Sequence, residues 1–185
     1  MIWSGYEKIE VRSSLVVLLI HMHWDFCQYL PTRRFRKLIA AQKGILNQCA
    51  QKGIPLVSLE YAGSGEVVED LRRPIQKVQH RTRVIRNSDD GFEGEDCALN
   101  NTLTEIGAKT LVMMGVNASG CVMCNASSAM GLGYKVETSR RLITDTFGDA
   151  RSACYWWYRD REALFELDHL SIAKCPPLQT RLTLR

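Results

Sequence analysis

The feature that most constrains the fold is an apolar segment at 14–20, in which polar residues do not alternate with apolar ones. This pattern is typical of a strand that is buried on both faces of a sheet. Further strand-forming segments follow, separated by patterns of helical periodicity that often end in glycine. Strands are predicted at 14–20, 54–59, 82–85, 110–114 and 134–138, with a short sixth at 171–173, and helices at 35–52, 96–106, 121–132 and 161–169.

The alternation of strands with helices predicts an α/β fold, in which a parallel sheet carries helices on both faces. No internal repeat or linker interrupts the pattern, and 185 residues suit one domain of ordinary size. Ligands bind beyond the carboxyl ends of the strands in such sheets. The candidate site residues are therefore those that follow Ile20, Leu59, Ile85 and Met114.

Composition excludes several classes of function. No apolar run approaches the roughly 20 residues of a membrane-spanning helix, and the first residues lack the pattern of a signal peptide. The net charge of +4 is small and the basic residues are scattered, so nucleic acid is not an expected partner, whereas an anionic substrate remains open. Seven cysteines, an odd number, indicate reduced thiols and a cytoplasmic location.

The strongest candidate for chemistry is Cys121, which follows a predicted strand and a turn bounded by Gly115 and Gly120. A cysteine that begins a helix faces free backbone N–H groups, which favour a thiolate and can stabilise an oxyanion. The alternative is a small residue that fills a tight turn. A redox pair with Cys124 is a second alternative, although no Trp or Pro flanks the motif as in thioredoxin-like sites.

Two histidines and a carboxylate, His21, His23 and Asp25, follow the first predicted strand. A histidine near a cysteine is the usual arrangement for activating a thiol. Structural roles are the alternative, namely a hydrogen-bonded histidine and an aspartate that caps the next turn. A zinc site needs three or four ligands and no second cluster supplies them, so neither a metal nor another cofactor is expected.

Arg86 ends the third predicted strand, where a guanidinium can anchor an anion or polarise a carbonyl. The alternative is a surface arginine that pairs with Asp89 or Asp90.

In order and spacing, these segments resemble the isochorismatase-like cysteine hydrolase superfamily from about residue 14 to residue 145. Residues 15–26 resemble the opening strand of the family and its "IDMQNDF" continuation, and Arg86 is followed six positions later by Phe92. Residues 115–122 and 131–136 resemble the family's "G-x-x-x-x-x-C-V … G-Y-x-V" segment. The resemblance implies a Rossmann-like, three-layer α/β/α sandwich with a six-stranded parallel sheet. It also implies that residues 1–185 form a single domain that assembles as a homodimer or homotetramer.

The resemblance further implies a catalytic Asp–Lys–Cys triad and a cis peptide bond at Val116–Asn117. Cys121 occupies the nucleophile position, but His21 occupies the Asp position and Arg86 the Lys position. His21 is therefore predicted as the base, since its ordinary pKa is near neutrality, and Arg86 as an electrostatic anchor. The amides of Gly120 and Cys121 are the predicted oxyanion hole, and Asp25 is a carboxylate that can orient His21 or His23.

The function implied is a metal-free cysteine hydrolase that cleaves the C–N bond of a small amide, imide or related carbonyl compound through a Cys121 thioester. The alternative is a pseudoenzyme that keeps the fold and serves as a binding or assembly module. Residues 60–65 lack the Asp-x-His metal set of the nicotinamidase branch. The aromatic run at 155–158 is expected at a subunit interface, with the lining of a pocket as the alternative. The predicted substrate contacts are Trp24, Asp25, Tyr61, Phe92 and Asn117.

Overall fold

The computed structural model of the protein describes residues 13–146 and 151–177, apart from the side chains of 151–153. Within these residues a five-stranded parallel sheet has the strand order β3-β2-β1-β4-β5. The predicted parallel α/β sheet is confirmed. The strands are β1 (Leu15–Ile20), β2 (Leu56–Tyr61), β3 (Arg81–Arg86), β4 (Thr110–Gly115) and β5 (Lys135–Glu137).

Helices flank the sheet, and the longest of those described buries one apolar side against it. That helix ends at Gly53, whose positive φ of 65° is the left-handed conformation that glycine adopts readily. The helices are α1 (Trp24–Cys27), α2 (Thr32–Lys52), α3 (Glu69–Gln76), α4 (Ala98–Ile106), α5 (Cys121–Gly131), α6 (Arg151–Asp160) and α7 (Ser171–Lys174). None of the helices in the described ranges is both long enough and apolar enough to span a bilayer.

The central strand β1 is buried along its whole length, as its unbroken apolar sequence predicts. In register, Ile20 lies opposite Leu59 on β2 and opposite Gly115 on β4. The three strands therefore end at the same edge of the sheet. Gly115 has a φ of 152°, and a Cβ at this position would collide with the backbone carbonyl of Ile20. A glycine is needed where β4 leaves the sheet this close to β1.

The predicted sixth strand is wrong, because the described sheet has five strands. Residues 171–173 belong instead to helix α7, whose first residue, Ser171, donates backbone and hydroxyl hydrogen bonds to the Glu137 carboxylate, both at 2.6 Å. A carboxylate at a helix N-terminus is stabilising, which favours a helix here. Beside β5, where a sixth strand would lie, one parallel bridge joins Thr138 to Leu164.

The helix predicted at 161–169 is also wrong. Only Leu167–His169 forms a short 3₁₀ turn there, and the helix lies earlier, as α6. The backbone of Glu162 has a φ of 52°, which interrupts a right-handed helix. The Thr138 N–H donates to the Ala163 carbonyl at 2.7 Å, which holds the following residues beside β5.

Candidate active site

Cys121 lies where the sequence predicts, at the start of α5 and just beyond the carboxyl end of β4. Residues 116–120, here called the pre-cysteine turn, connect the two elements, and the Val116–Asn117 peptide bond is cis as expected. Ala118 is bound on both sides, since its N–H donates to the Thr144 carbonyl at 3.0 Å and its carbonyl accepts from the Tyr158 hydroxyl at 2.9 Å. The thiol therefore projects from a turn with little freedom to move.

The partner of the Cys121 thiol is Asp89, which lies 3.3 Å away between Sγ and Oδ1. Asp89 belongs to the loop after β3, and its side chain is otherwise exposed. The sequence offers Asp89 only as an ion-pair partner of Arg86, so this contact was not predicted. Its one signal in the sequence is position, because the loop begins at the carboxyl end of a strand, at the edge where Cys121 lies.

Asn125 fixes the distance between Asp89 and Cys121. Its side-chain amide is fully buried on α5, one turn beyond the cysteine, and donates to the backbone carbonyls of Asp89 at 2.8 Å and Cys121 at 2.7 Å. Its side-chain oxygen accepts the Gly91 N–H at 2.9 Å. One side chain thus uses both donors and its acceptor to hold the loop against the helix.

The Cys121 thiol is held protonated. Burial of the side chain raises its pKa to about 12, and the hydrogen bond to the Asp89 carboxylate and the charge of that carboxylate act in the same direction. The backbone amides of Asn117 and Cys121 oppose the shift without reversing it. The backbone N–H groups at the helix start thus favour the thiolate, as the sequence predicts, but desolvation and a nearby anion outweigh them.

His21 does not form the predicted hydrogen bond with Cys121. Its ring is fully buried, and neither nitrogen has a hydrogen-bond partner among the described residues. Burial lowers the pKa of His21 to about 4, helped by His23 and opposed by Asp89, so the ring is neutral near pH 7. The ring contacts Tyr61 edge-on, with centroids 5.3 Å apart. A histidine that resists protonation this strongly is a poor base.

Asp25 does not orient either histidine, because its side chain is exposed on α1 and His21 has no partner. His23 instead accepts the Tyr61 backbone N–H on its Nε2 atom at 3.1 Å. This bond ties the end of β1 to the end of β2, which is a structural role.

Arg86 binds the loop that follows it, and among the described residues it forms no hydrogen bond with Cys121. Its Nη1 donates to the Asp96 carboxylate at 2.5 Å, and its Nη2 donates to the Glu93 carbonyl. The guanidinium also holds the pKa of the Asp96 carboxyl below its usual range. The predicted electrostatic anchor is thus an ion pair within the β3–α4 loop, and its partner is neither Asp89 nor Asp90.

The residues predicted to form the oxyanion hole and the substrate contacts differ in how far they already contact other parts of the protein. The Gly120 N–H donates to the Asn117 carbonyl at 3.1 Å, within the pre-cysteine turn. The Asn117 side-chain oxygen is likewise engaged, since it accepts from the Thr146 backbone N–H at 2.8 Å and hydroxyl at 2.6 Å. Phe92 packs against Tyr134 at a centroid distance of 6.2 Å. Trp24, by contrast, is exposed.

No group of three or more His, Cys, Asp and Glu side chains in the described ranges is placed to bind a metal ion. All seven cysteines are free thiols, including Cys121 and the exposed Cys124. A pocket of about 450 Å³ lies between α3 and the β2–β3 edge of the sheet, and none of its lining residues is a predicted site residue.

The protein is thus an α/β protein with a parallel sheet between helices and a cysteine at the start of the helix that follows a central strand. In α/β proteins of this class, ligands bind at the carboxyl edge of the sheet. A family model of the isochorismatase domain matches residues 15–153. The chain therefore belongs to the isochorismatase family.

Comparison with solved structures agrees on the fold. An isochorismatase-like hydrolase from Alkaliphilus metalliredigens is 19% identical, with a TM-score of 0.73 over 88% of this chain and 99% of the other. The MAR1 ribonuclease from Caenorhabditis elegans is 13% identical, with a TM-score of 0.72 over 90% and 84%. N-carbamoylsarcosine amidase from Thermoplasma acidophilum is 16% identical, with a TM-score of 0.70 over 86% and 99%. The comparison with curated protein sequences gave no match.

Proposed function

We propose that this isochorismatase-family protein hydrolyses the C–N bond of a small amide or imide, with Cys121 as nucleophile and Asp89 as proton acceptor. The observation that carries the proposal is the 3.3 Å contact between the Cys121 sulfur and the Asp89 carboxylate. The family's usual carboxylate position holds His21, so Asp89 supplies from another loop the acceptor that His21 does not provide. The fold shared with an amidase supports the choice of an amide as substrate.

The Cys121 thiol transfers its proton to Asp89 while the sulfur forms a bond to the substrate carbonyl carbon, and the carbonyl π electrons move to oxygen. When the oxyanion collapses, the C–N bond breaks, the nitrogen takes the proton from Asp89, and a thioester remains on Cys121. Water then attacks the thioester and gives a proton to Asp89, the C–S bond breaks, and the sulfur regains the proton. The net reaction converts amide and water to acid and amine.

A protonated resting thiol suits this mechanism, because the proton is lost only as the sulfur attacks. The Cys121 amide remains the proposed oxyanion donor, since it lies close to its own sulfur. The Gly120 N–H contributes if its bond to the Asn117 carbonyl is shared with the oxyanion. Trp24, Tyr61 and Phe92 remain proposed substrate contacts around this edge of the sheet.

The test combines turnover with alkylation of Cys121. A panel of primary amides, ureido compounds and cyclic imides is assayed for release of ammonia or acid by wild type, Cys121→Ser, Asp89→Asn and Asp90→Asn. Asp89→Asn should lose at least about a hundredfold in kcat, the lower range for a general base. It should also speed iodoacetamide alkylation of Cys121, because it removes the carboxylate that raises the thiol pKa.

Asp90→Asn is the matched control, because it neutralises the adjacent carboxylate, whose oxygens accept from Ser128 and the Phe92 N–H rather than from Cys121. It should keep turnover and the Cys121 alkylation rate. Turnover that survives Asp89→Asn unchanged refutes Asp89 as the base.

The second candidate is a pseudoenzyme, and the low exposure of the Cys121 side chain, 6%, is the observation that favours it. If no compound in the panel is hydrolysed and Cys121→Ser leaves every measured property unchanged, the binding or assembly module is the better description.

We also propose a homodimer or homotetramer in the cytoplasm. Exposed aromatic side chains support the assembly, among them Trp24 at 59% and Trp156 at 57%. Trp156 lies in the aromatic run predicted at an interface. Seven free cysteines support a reducing compartment. Sedimentation equilibrium of wild type and Trp156→Ser distinguishes an assembly through α6 from a monomer.

A further inference from the structure

A second pocket, separate from Cys121, is lined by four basic side chains. It has a volume of about 410 Å³ and lies between the first half of α2 and the segment that follows β5. Arg34 and Lys37 are one turn apart on α2, and Arg140 and Arg141 come from the segment that follows β5. We call this the basic pocket. Leu38, Ile143, Thr144 and Tyr155 complete its lining.

No carboxylate among the described lining residues balances the positive charge of the basic pocket. The part of the lining that the structure describes contains no Asp or Glu, and none of the ion pairs between described residues involves any of the four cations. Arg34 donates to the backbone carbonyl of Asp145 at 3.3 Å, and Arg140 lies over the Tyr155 ring at 5.1 Å. These contacts position two guanidinium groups without neutralising them.

Four like charges around one cavity repel each other, and an anion in the cavity relieves that repulsion. The formal net charge of the whole chain is only +4, so the pocket concentrates as many positive charges as the protein carries in excess. Such a concentration in a concave site attracts anionic ligands more strongly than the same charges on a flat surface.

The volume and the lining of the basic pocket indicate which class of ligand it can bind. A volume of about 410 Å³ lies at the lower end of the range for small-molecule sites. Guanidinium groups match phosphate oxygens in a bidentate geometry. A terminal phosphoryl group carries about −1.5 to −2 charges near neutral pH, so a ligand needs more than one phosphate to approach the charge of four cations. The apolar side chains Leu38 and Ile143 give an organic part of the ligand a surface to contact.

We propose that the basic pocket binds a small molecule that carries a diphosphate group. The site is distinct from the hydrolase site, because Cys121, Asp89 and His21 do not line it. It does not depend on the proposed reaction, and the test below does not measure turnover.

The test is titration calorimetry of the full-length protein with inorganic pyrophosphate at low salt. The double variant Arg140→Gln/Arg141→Gln should weaken binding at least about tenfold, since it removes two guanidinium groups that form charge-assisted hydrogen bonds with phosphate. The matched control is Arg33→Gln/Arg36→Gln, which removes the same charge from α2 at two exposed positions that do not line the pocket. It should change the affinity less than about twofold, near the median for exposed charges.

Equal weakening by both double variants overturns the proposal, because it shows a response to net charge alone. Absence of pyrophosphate binding to the wild type also overturns it. Binding of a single-stranded RNA oligonucleotide without binding of pyrophosphate overturns it as well, in favour of an extended polyanion surface. The four substituted residues, Arg33, Arg36, Arg140 and Arg141, are exposed. Thermal unfolding of each variant checks that the fold is retained.

Discussion

His21 should make the folded protein progressively less stable as the pH falls from about 7 to about 4. The ring is fully buried without a hydrogen-bond partner, and this burial lowers its pKa to about 4. In the unfolded chain the ring regains an ordinary pKa of about 6.5. Between these two values the unfolded chain binds a proton that the folded protein does not, so unfolding becomes more favourable as the pH is lowered.

The size of the effect follows from the two pKa values. A difference between 6.5 and about 4 corresponds to about 3 kcal/mol, because each tenfold change in proton affinity is worth about 1.4 kcal/mol. The loss accumulates below about pH 6.5 and ends near pH 4, where the folded protein binds the proton too. This is a large part of the stability of a typical domain, about 5 to 15 kcal/mol.

Urea unfolding followed by tryptophan fluorescence at several pH values measures this loss in the wild type and in His21→Asn. Asparagine suits the site, since the backbone of residue 21 has a φ of 49°, which asparagine tolerates better than most residues. Its unfolding free energy should fall by about 3 kcal/mol less than that of the wild type over the same pH range. His169→Asn, which removes an exposed histidine, should keep the wild-type dependence. Parallel curves for wild type and His21→Asn would refute the reasoning.

Three further predictions concern Cys121 and its supports. Mapped alkylation of Cys121 should rise about tenfold per pH unit up to about pH 9 without a plateau, because its pKa is raised to about 12; a plateau near neutrality would contradict this. Gly115→Ala should destabilise the protein by at least about 2 kcal/mol in urea unfolding, since the added Cβ would collide with the Ile20 carbonyl. Gly131→Ala is the control and should not destabilise the protein, because the space around Gly131 is open. Tyr158→Phe should cost about 1 kcal/mol by the same measurement, since its buried hydroxyl donates to a carbonyl of the pre-cysteine turn, and an unchanged midpoint would exclude that contribution.

The parts of the fold that the sequence predicts correctly are those set by local patterns. Strand β1 is one unbroken apolar segment, and α2 ends at the glycine that its pattern indicates. The prediction of a sixth strand is wrong because three residues, 171–173, are too few to distinguish the periodicity of a strand from that of a helix. Their conformation is decided by Glu137, which lies far away in sequence and accepts the first hydrogen bonds of α7.

In the candidate site, too, the residues placed by local sequence patterns are predictable and the others are not. Cys121 is predictable, because the strand, the glycine-bounded turn and the helix that place it are consecutive. Asp89 and Arg86 are not, since their roles depend on which way side chains of one loop point. They are three positions apart, yet Asp89 contacts Cys121 and Arg86 pairs with Asp96. A sequence shows which residues reach an edge of a sheet, but not which of them turn toward a given sulfur.

The amide of Asn125 has a consequence for redesign of the protein. The proposed nucleophile and the proposed base come from separate segments, and a single uncharged side chain, one turn beyond Cys121 on α5, holds them together. Trp24, at the start of α1, and Tyr61, at the end of β2, contribute none of those bonds. Substitutions at Trp24 and Tyr61 should therefore change the proposed substrate contacts while Asn125 keeps the spacing of Cys121 and Asp89.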